Sequence, residues 1–109
     1  MPSVSLSALL DTGASGTVIR ASALAGLGLE STGTVFINTP STTAPLKSVE
    51  YRVRLVLSKT AAIETYVVEA PLGGQPVQCL IGRDILEVCR FVYDGPKRQF
   101  TLNVARSEE

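Results

Sequence analysis

An aspartate between two apolar runs constrains this chain more than any other feature. Asp11 follows the apolar run Ala8–Leu10 and precedes Thr12 and Gly13, and a second apolar run begins at Val18. This pattern predicts an acid held in a tight turn between two buried strands. A buried carboxylate is costly unless hydrogen bonds or a charge-sharing partner compensate it, so an aspartate there indicates function. We expect Thr12 and the backbone N–H groups around Gly13 to supply those hydrogen bonds.

Two short strings in the chain resemble motifs of one protein family. Residues 11–14, with their apolar flanks, read Asp-Thr-Gly-Ala and resemble the active-site loop of the aspartic proteases, in the small single-lobe branch called retropepsin-like. Residues 79–86 read Cys-Leu-Ile-Gly-Arg-Asp-Ile-Leu and resemble a later motif of that family. In that motif an apolar pair and a glycine pass beside the catalytic loop and then open a short helix. The two strings stand in the family's order, and the resemblance covers nearly the whole chain.

The resemblance implies a set of site residues and no metal or cofactor. Asp11 is the catalytic residue, and Thr12, Gly13 and Ala14 complete the active-site loop. Arg83 is a structural residue near the site, spaced to pair with Glu87. In this family a mobile β-hairpin, the flap, closes over bound peptide. The flap and substrate cleft implied for this chain comprise Ile37, Asn38, Thr39, Pro40, Ser41, Thr42, Leu80, Ile81 and Gly82.

The absence of histidine excludes several kinds of active site. Ser-His and Cys-His nucleophilic pairs, and most catalytic zinc sites, need an imidazole, so acid–base chemistry falls to carboxylates, Lys, Tyr or Cys. The aspartates of the chain are Asp11, Asp84 and Asp94. Asp84 stands at the start of a predicted helix, where the helix dipole favours an acid, and Asp94 precedes a glycine in a turn. Only Asp11 lacks such a structural explanation.

One Asp-Thr-Gly loop is half of an aspartic-protease site. The mechanism requires two carboxylates roughly 3 Å apart that share one proton, because two like charges so close cannot both ionise. The chain contains no second Asp-Thr-Gly or Asp-Ser-Gly triplet. We therefore expect an aspartic endopeptidase that acts on peptides or proteins as a homodimer, with Asp11 from each subunit.

Two other interpretations compete with the protease. A catalytically idle module on the same fold would dimerise or bind peptides without cleaving them. The Asp-Thr-Gly triplet also imitates a phosphate loop of actin-like ATPases, but that fold needs a much longer chain and a second phosphate loop. Cleavage of an unstructured polypeptide separates the protease from the idle module, and nucleotide binding would reveal the ATPase.

The succession of short apolar runs and turn signals predicts an all-β fold with one helix, over Gly82–Arg90. Together with the resemblance, this gives a retropepsin-like closed barrel with one short C-terminal helix, as a single domain over residues 1–109. The family's first strand is expected to be missing or truncated, and residues 105–109 to form a frayed tail. The terminal strand Gln99–Val104 resembles the retroviral strand that contributes to the dimer interface.

The charges and cysteines bound the partners and the compartment. Ten basic residues balance ten acidic ones without runs of either sign, so we expect no nucleic-acid partner and no direct membrane contact. Cys79 and Cys89 stand in apolar contexts without metal-ligand spacing, which favours unpaired buried thiols in a reducing, intracellular compartment. No apolar run approaches the ~20 residues of a membrane span. The chain as given is expected to be soluble, and a membrane tether would need a segment upstream of Met1.

Overall fold

β-Strands make up most of the described fold. The computed structural model of the protein describes residues 3–37 and 44–105. As the sequence predicts, the chain is mostly β, but it has a few short helices where one was expected. Its elements in chain order are β1 (Ala8–Leu10), β2 (Val18–Arg20), α1 (Ala21–Leu24), a 3-10 turn (Ala25–Leu27), β3 (Ser31–Ile37), β4 (Leu46–Ser58), β5 (Ala61–Ala70), β6 (Cys79–Ile81), α2 (Arg83–Leu86), β7 (Cys89–Asp94) and β8 (Gln99–Val104).

Six of the strands form one mixed sheet, in the order β1-β6-β2-β5-β4-β3. β1 runs parallel to β6, whereas β2 runs antiparallel to β6 and parallel to β5. β3, β4 and β5 form an antiparallel meander. The expected closed barrel is wrong, because this sheet is open and has β1 and β3 as its edges. β7 and β8 pair with each other in a separate two-stranded sheet and therefore do not join those edges.

The core lies where the short strands of the mixed sheet meet the helices. Along β5 the fully buried Val67 follows the exposed Tyr66, as the alternation of side chains in a strand requires. Ile81 and Ile85 are buried on either side of the turn from β6 to α2, and this burial holds the turn in place. The buried core residues are Ile19, Leu24, Val67, Cys79, Ile81 and Ile85.

The helix near the C-terminus is shorter than the sequence pattern predicts. The pattern favours a helix over Gly82–Arg90, but α2 ends at Leu86 and β7 begins at Cys89. Cys89 pairs with Val104 of β8, so the β-hairpin takes backbone groups that would have continued the helix. Among the described residues, no helix is long and apolar enough to cross a membrane.

Arg20, the last residue of β2, fastens the loop that leads into β6. Its Nη2 donates hydrogen bonds to the carbonyl oxygens of Leu72 (3.2 Å), Gln75 (2.8 Å) and Val77 (3.2 Å). These bonds satisfy three loop carbonyls with one charged donor group. They also fix where β6 begins, and β6 is the strand that runs beside β1.

Candidate active site

Asp11 lies at the end of two parallel strands. In β1, Leu10 pairs with Ile81 of β6, and Asp11 N donates a hydrogen bond to Ile81 O (2.9 Å). The Asp11 side chain is half-buried, so the sequence-based expectation of a buried carboxylate is wrong for the single chain. The reason is that β1 is an edge strand of the sheet. The backbone of Asp11 is therefore fixed, while its carboxylate stays partly open to solvent.

The turn after Asp11 orients the carboxylate. Gly13 N donates to Asp11 Oδ1 (2.9 Å), and Ala14 N donates to Asp11 O (3.1 Å). A Cβ on Gly13 would lie 3.2 Å from Asp11 Oδ1, so a side chain there would press on the carboxylate. The hydrogen bond expected from this turn thus comes from the Gly13 amide, and the Thr12 side chain is exposed.

Gly82 brings the second sequence string against this loop. It is buried, and a Cβ built on it would lie 2.5 Å from Gly16 O, 2.6 Å from Gly16 C and 3.0 Å from Ala14 O. No side chain fits in that space, because the neighbouring atoms belong to the backbone. The two strings, separate in the sequence, are therefore in direct contact.

Arg83, the first residue of α2, is hydrogen-bonded to the loop that begins at Asp11. Its Nη1 donates a hydrogen bond to Thr12 O (2.8 Å). The expectation that Arg83 pairs with Glu87 is wrong, since within the described residues the ion pair is Arg52–Glu64. A hydrogen bond from a charged donor to a loop carbonyl is a stronger interaction than an exposed ion pair between residues four apart.

The sequence from residue 3 to residue 85 matches a family model described as aspartyl protease, in the retropepsin-like clan. The chain belongs to this aspartyl protease family. The match covers the Asp-Thr-Gly loop and almost all of the second string, so the resemblance inferred from these strings is confirmed. Membership in the family supports protease function generally. No curated protein matches the chain.

A second acid of this aspartyl protease domain, Asp84, is hydrogen-bonded to Thr17 through both of its carboxylate oxygens. Its Oδ1 accepts a hydrogen bond from Thr17 Oγ1 (2.8 Å), and its Oδ2 accepts one from Thr17 N (3.2 Å). Asp84 does stand in the first turn of α2, as its sequence context predicts. Sequence reasoning missed the contact with Thr17, because 67 positions separate the two residues and no local pattern links them.

Most of the predicted flap lies outside the described residues. Ile37 is the last residue of β3, which pairs antiparallel with β4. Leu80 is half-buried, and Ile81 is buried in the core. The roles of these residues in a substrate cleft stay predictions. The flap residues outside the described part are Asn38, Thr39, Pro40, Ser41 and Thr42.

Both cysteines are free thiols. Cys79 is buried in β6, and burial together with the charge of Asp84 raises its pKa from 9.0 to about 11. Burial also raises the pKa of Cys89. Both thiols are therefore mostly protonated near neutral pH and are weak nucleophiles. Across residues 3–37 and 44–105, no three His, Cys, Asp or Glu side chains are grouped so that they could hold a metal ion.

Proposed function

We propose that the protein is an aspartic endopeptidase that acts as a homodimer, with Asp11 of each protomer forming the catalytic pair. The observation that carries this proposal is the Asp11 carboxylate, which is held by the Gly13 amide at 2.9 Å and is still partly open to solvent. The other aspartates are engaged elsewhere. Asp84 accepts hydrogen bonds from Thr17, and Asp94 accepts one from the Lys97 amide (3.2 Å) in the β7–β8 turn.

The proposed reaction uses a water molecule between the two Asp11 carboxylates. The ionised carboxylate takes a proton from the water, whose oxygen attacks the scissile carbonyl carbon, while the protonated carboxyl gives its proton to the carbonyl oxygen. The resulting gem-diol collapses when one carboxyl protonates the amide nitrogen and the C–N bond breaks. The other carboxylate accepts a hydroxyl proton, so the pair again holds one proton. Two carboxylates that share a site in this way cannot both ionise, which keeps one acid and one base available.

Neighbouring residues orient this chemistry in the proposal. The Gly13 amide holds Asp11 Oδ1, and Thr12, Ala14 and Gly82 shape the loop around it. The Arg83 guanidinium donates a hydrogen bond to the Thr12 carbonyl oxygen. Positions 15 and 16 of the loop are Ser15 and Gly16, so neither carries an acidic side chain that could pair with Arg83. The rim of the cleft is thus poor in charge, and we expect a preference for apolar peptides. The flap residues 37–42 and Leu80 and Ile81 would line that cleft.

The proposal predicts that Asp11→Asn abolishes peptide cleavage without unfolding the protein, because the amide keeps the shape of the carboxylate but cannot act as a base. Cleavage of an unstructured polypeptide measures activity, and circular dichroism measures folding. Asp94→Asn is the matched control, since Asp94 also accepts a backbone N–H in an exposed turn. Full activity in purified Asp11→Asn protein would refute the proposal. Peptide binding without cleavage by the unaltered protein would favour the idle peptide-binding module instead.

Mixing unaltered and Asp11→Asn protein tests whether the two protomers share one site. In an equal mixture with random re-pairing, about a quarter of the dimers carry two aspartates, whereas independent protomers would retain about half of the activity. The mixture is incubated above the dimer dissociation constant until subunits exchange, and initial rates are compared at equal total protein. Retention of half the activity would contradict the shared site.

A further inference from the structure

Thr17 and Asp84 form a hydrogen-bonded cluster behind the active-site loop. Thr17 is 1% exposed and closes the loop that begins at Asp11. Its hydroxyl donates to Asp84 Oδ1 (2.8 Å) and accepts from Gly82 N (3.1 Å), while its amide donates to Asp84 Oδ2 (3.2 Å). Asp84 Oδ1 also accepts a hydrogen bond from Ile85 N (2.9 Å). One hydroxyl and one carboxylate thus satisfy three backbone amides and each other.

The loop runs from Asp11 to Thr17, and this cluster joins its Thr17 end to the first turn of α2. At the first end, Asp11 N is bonded to Ile81 O (2.9 Å). In the middle of the loop, Asp84 N donates to Ser15 O (3.2 Å). The loop is therefore held along its whole length by the segment 81–84, and Thr17 supplies the buried part of that attachment.

We propose that Thr17 and Asp84 are positioning residues for Asp11: their hydroxyl–carboxylate pair sets the distance between the active-site loop and α2, and so the placement of the catalytic carboxylate. The inference rests on the proposed protease function. Neither residue is hydrogen-bonded to the Asp11 side chain, whose Oδ1 accepts from the Gly13 amide. They act through the loop backbone, whose two ends are tied to β6 and α2.

The chemistry of the cluster requires both a donor and an acceptor at residue 17. Thr17→Val keeps the shape but leaves the Gly82 amide without an acceptor in a buried place. Thr17→Ser keeps the hydroxyl and removes only a methyl group. Asp84→Asn keeps one oxygen but turns the other into an amide that faces a donor, the Thr17 N–H.

Kinetics provide the first test. Misplacement of a catalytic group by about 1 Å lowers the rate roughly 100-fold, so we expect kcat to fall roughly 10- to 100-fold in Thr17→Val and Asp84→Asn. KM should stay nearly constant, because peptide binding does not use the cluster. Thr17→Ser should restore most of kcat. Leu24→Ala is the control for general destabilisation, since it removes a buried side chain from α1.

Hydrogen exchange provides a test that does not need activity. The amides of Asp84 and Asp11 donate to Ser15 O and Ile81 O, so their protection reports how firmly the loop is attached. In Thr17→Val their protection should fall about tenfold more than that of the β5 amides, whereas Leu24→Ala should lower both together. Uniform loss in Thr17→Val, or unchanged kcat, would overturn the positioning role. If the unaltered protein cleaves nothing but the selective loss of protection occurs, the protease proposal fails while the attachment of the loop by Thr17 stands.

Discussion

Replacing Gly82 by alanine tests the contact on which the candidate site depends. Gly82 has φ −92° and ψ −174°, an extended conformation open to any residue, so the substitution brings no backbone strain of its own. The obstacle is space alone. The new Cβ would lie 2.5 Å from Gly16 O, whereas an ordinary carbon–oxygen contact is about 3.3 Å or longer. The loop and the β6–α2 turn must therefore separate by about 0.8 Å.

That separation has a cost in stability and a larger one in activity. Overpacking of a well-packed interior lowers the free energy of unfolding by about 1–3 kcal/mol. Because the atoms that the new Cβ would meet belong to the backbone, we expect Gly82→Ala to lower it by about 2–3 kcal/mol. A shift of nearly 1 Å in the loop that carries Asp11 should also lower kcat by about 100-fold. Urea unfolding measures the change in the free energy of unfolding, provided that the m-value stays constant. Peptide cleavage, assayed at a temperature below the unfolding transition of the variant, measures the change in kcat.

Gly26→Ala is the matched control for this experiment. Gly26 lies in the 3-10 turn after α1, and a Cβ there meets nothing within 4 Å. Because alanine restricts the unfolded chain more than glycine does, Gly26→Ala should be neutral or stabilise by up to about 1 kcal/mol. If the free energy of unfolding of Gly82→Ala lies within about 0.5 kcal/mol of that of the unaltered protein, the close passage of the two backbones is refuted.

Two more measurements address the dimer and the buried thiol. Specific activity should fall on dilution as sedimentation shows loss of the dimer, and a fully active monomer would contradict this. Phe100 lies with Tyr93 on an exposed apolar face of the β7–β8 hairpin, so Phe100→Ser should make the dimer dissociate at a higher protein concentration. Thr101→Ala, on the opposite face, should leave that concentration unchanged. Burial raises the pKa of Cys79 to about 11, so the folded state retains the thiol proton at a pH at which the unfolded chain has lost it. The stability that this difference contributes is complete below pH 9 and is lost as the pH rises towards 11, by about 2–3 kcal/mol in all. Cys79→Ala should remove this part of the alkaline destabilisation, and iodoacetamide should label Cys89 before Cys79 in the native protein; equal labelling rates would argue against the burial of Cys79.

Local chemistry made the turn that begins at Asp11 predictable from sequence. An acid followed by a hydroxyl residue and a glycine, between apolar runs, predicts a turn, and the Gly13 amide does bond Asp11 Oδ1. The terminal hairpin was equally accessible, because the turn residues Asp94 and Gly95 separate two apolar strands that pair in the structure. In both places the residues that decide the structure lie within a few positions of one another.

The features that sequence reasoning missed depend on residues far apart in the chain. Helical spacing extended α2 to Arg90, but pairing of Cys89 with Val104 ends the helix first. The spacing of Arg83 and Glu87 suggested an ion pair, but the arginine bonds the Thr12 carbonyl. Barrel closure is also a question of non-local pairing, and no strand of the described chain joins the two edges of the sheet. For the end of α2 and for Arg83, tertiary contacts overrode the local preference.

The exposure of Asp11 changes how the cost of its charge should be understood. A carboxylate between apolar runs should need compensation, yet in the single chain Asp11 is half-buried and one amide hydrogen bond holds it. The exposed part of the carboxylate can therefore be solvated by water within the protomer, and the loop can fold without a charge partner. In the proposed dimer a second loop would displace that water, and the two carboxylates would meet with little solvent between them. The compensation expected from the sequence would then come from the proton that the pair shares, so the cost falls on dimer assembly and not on folding of the chain.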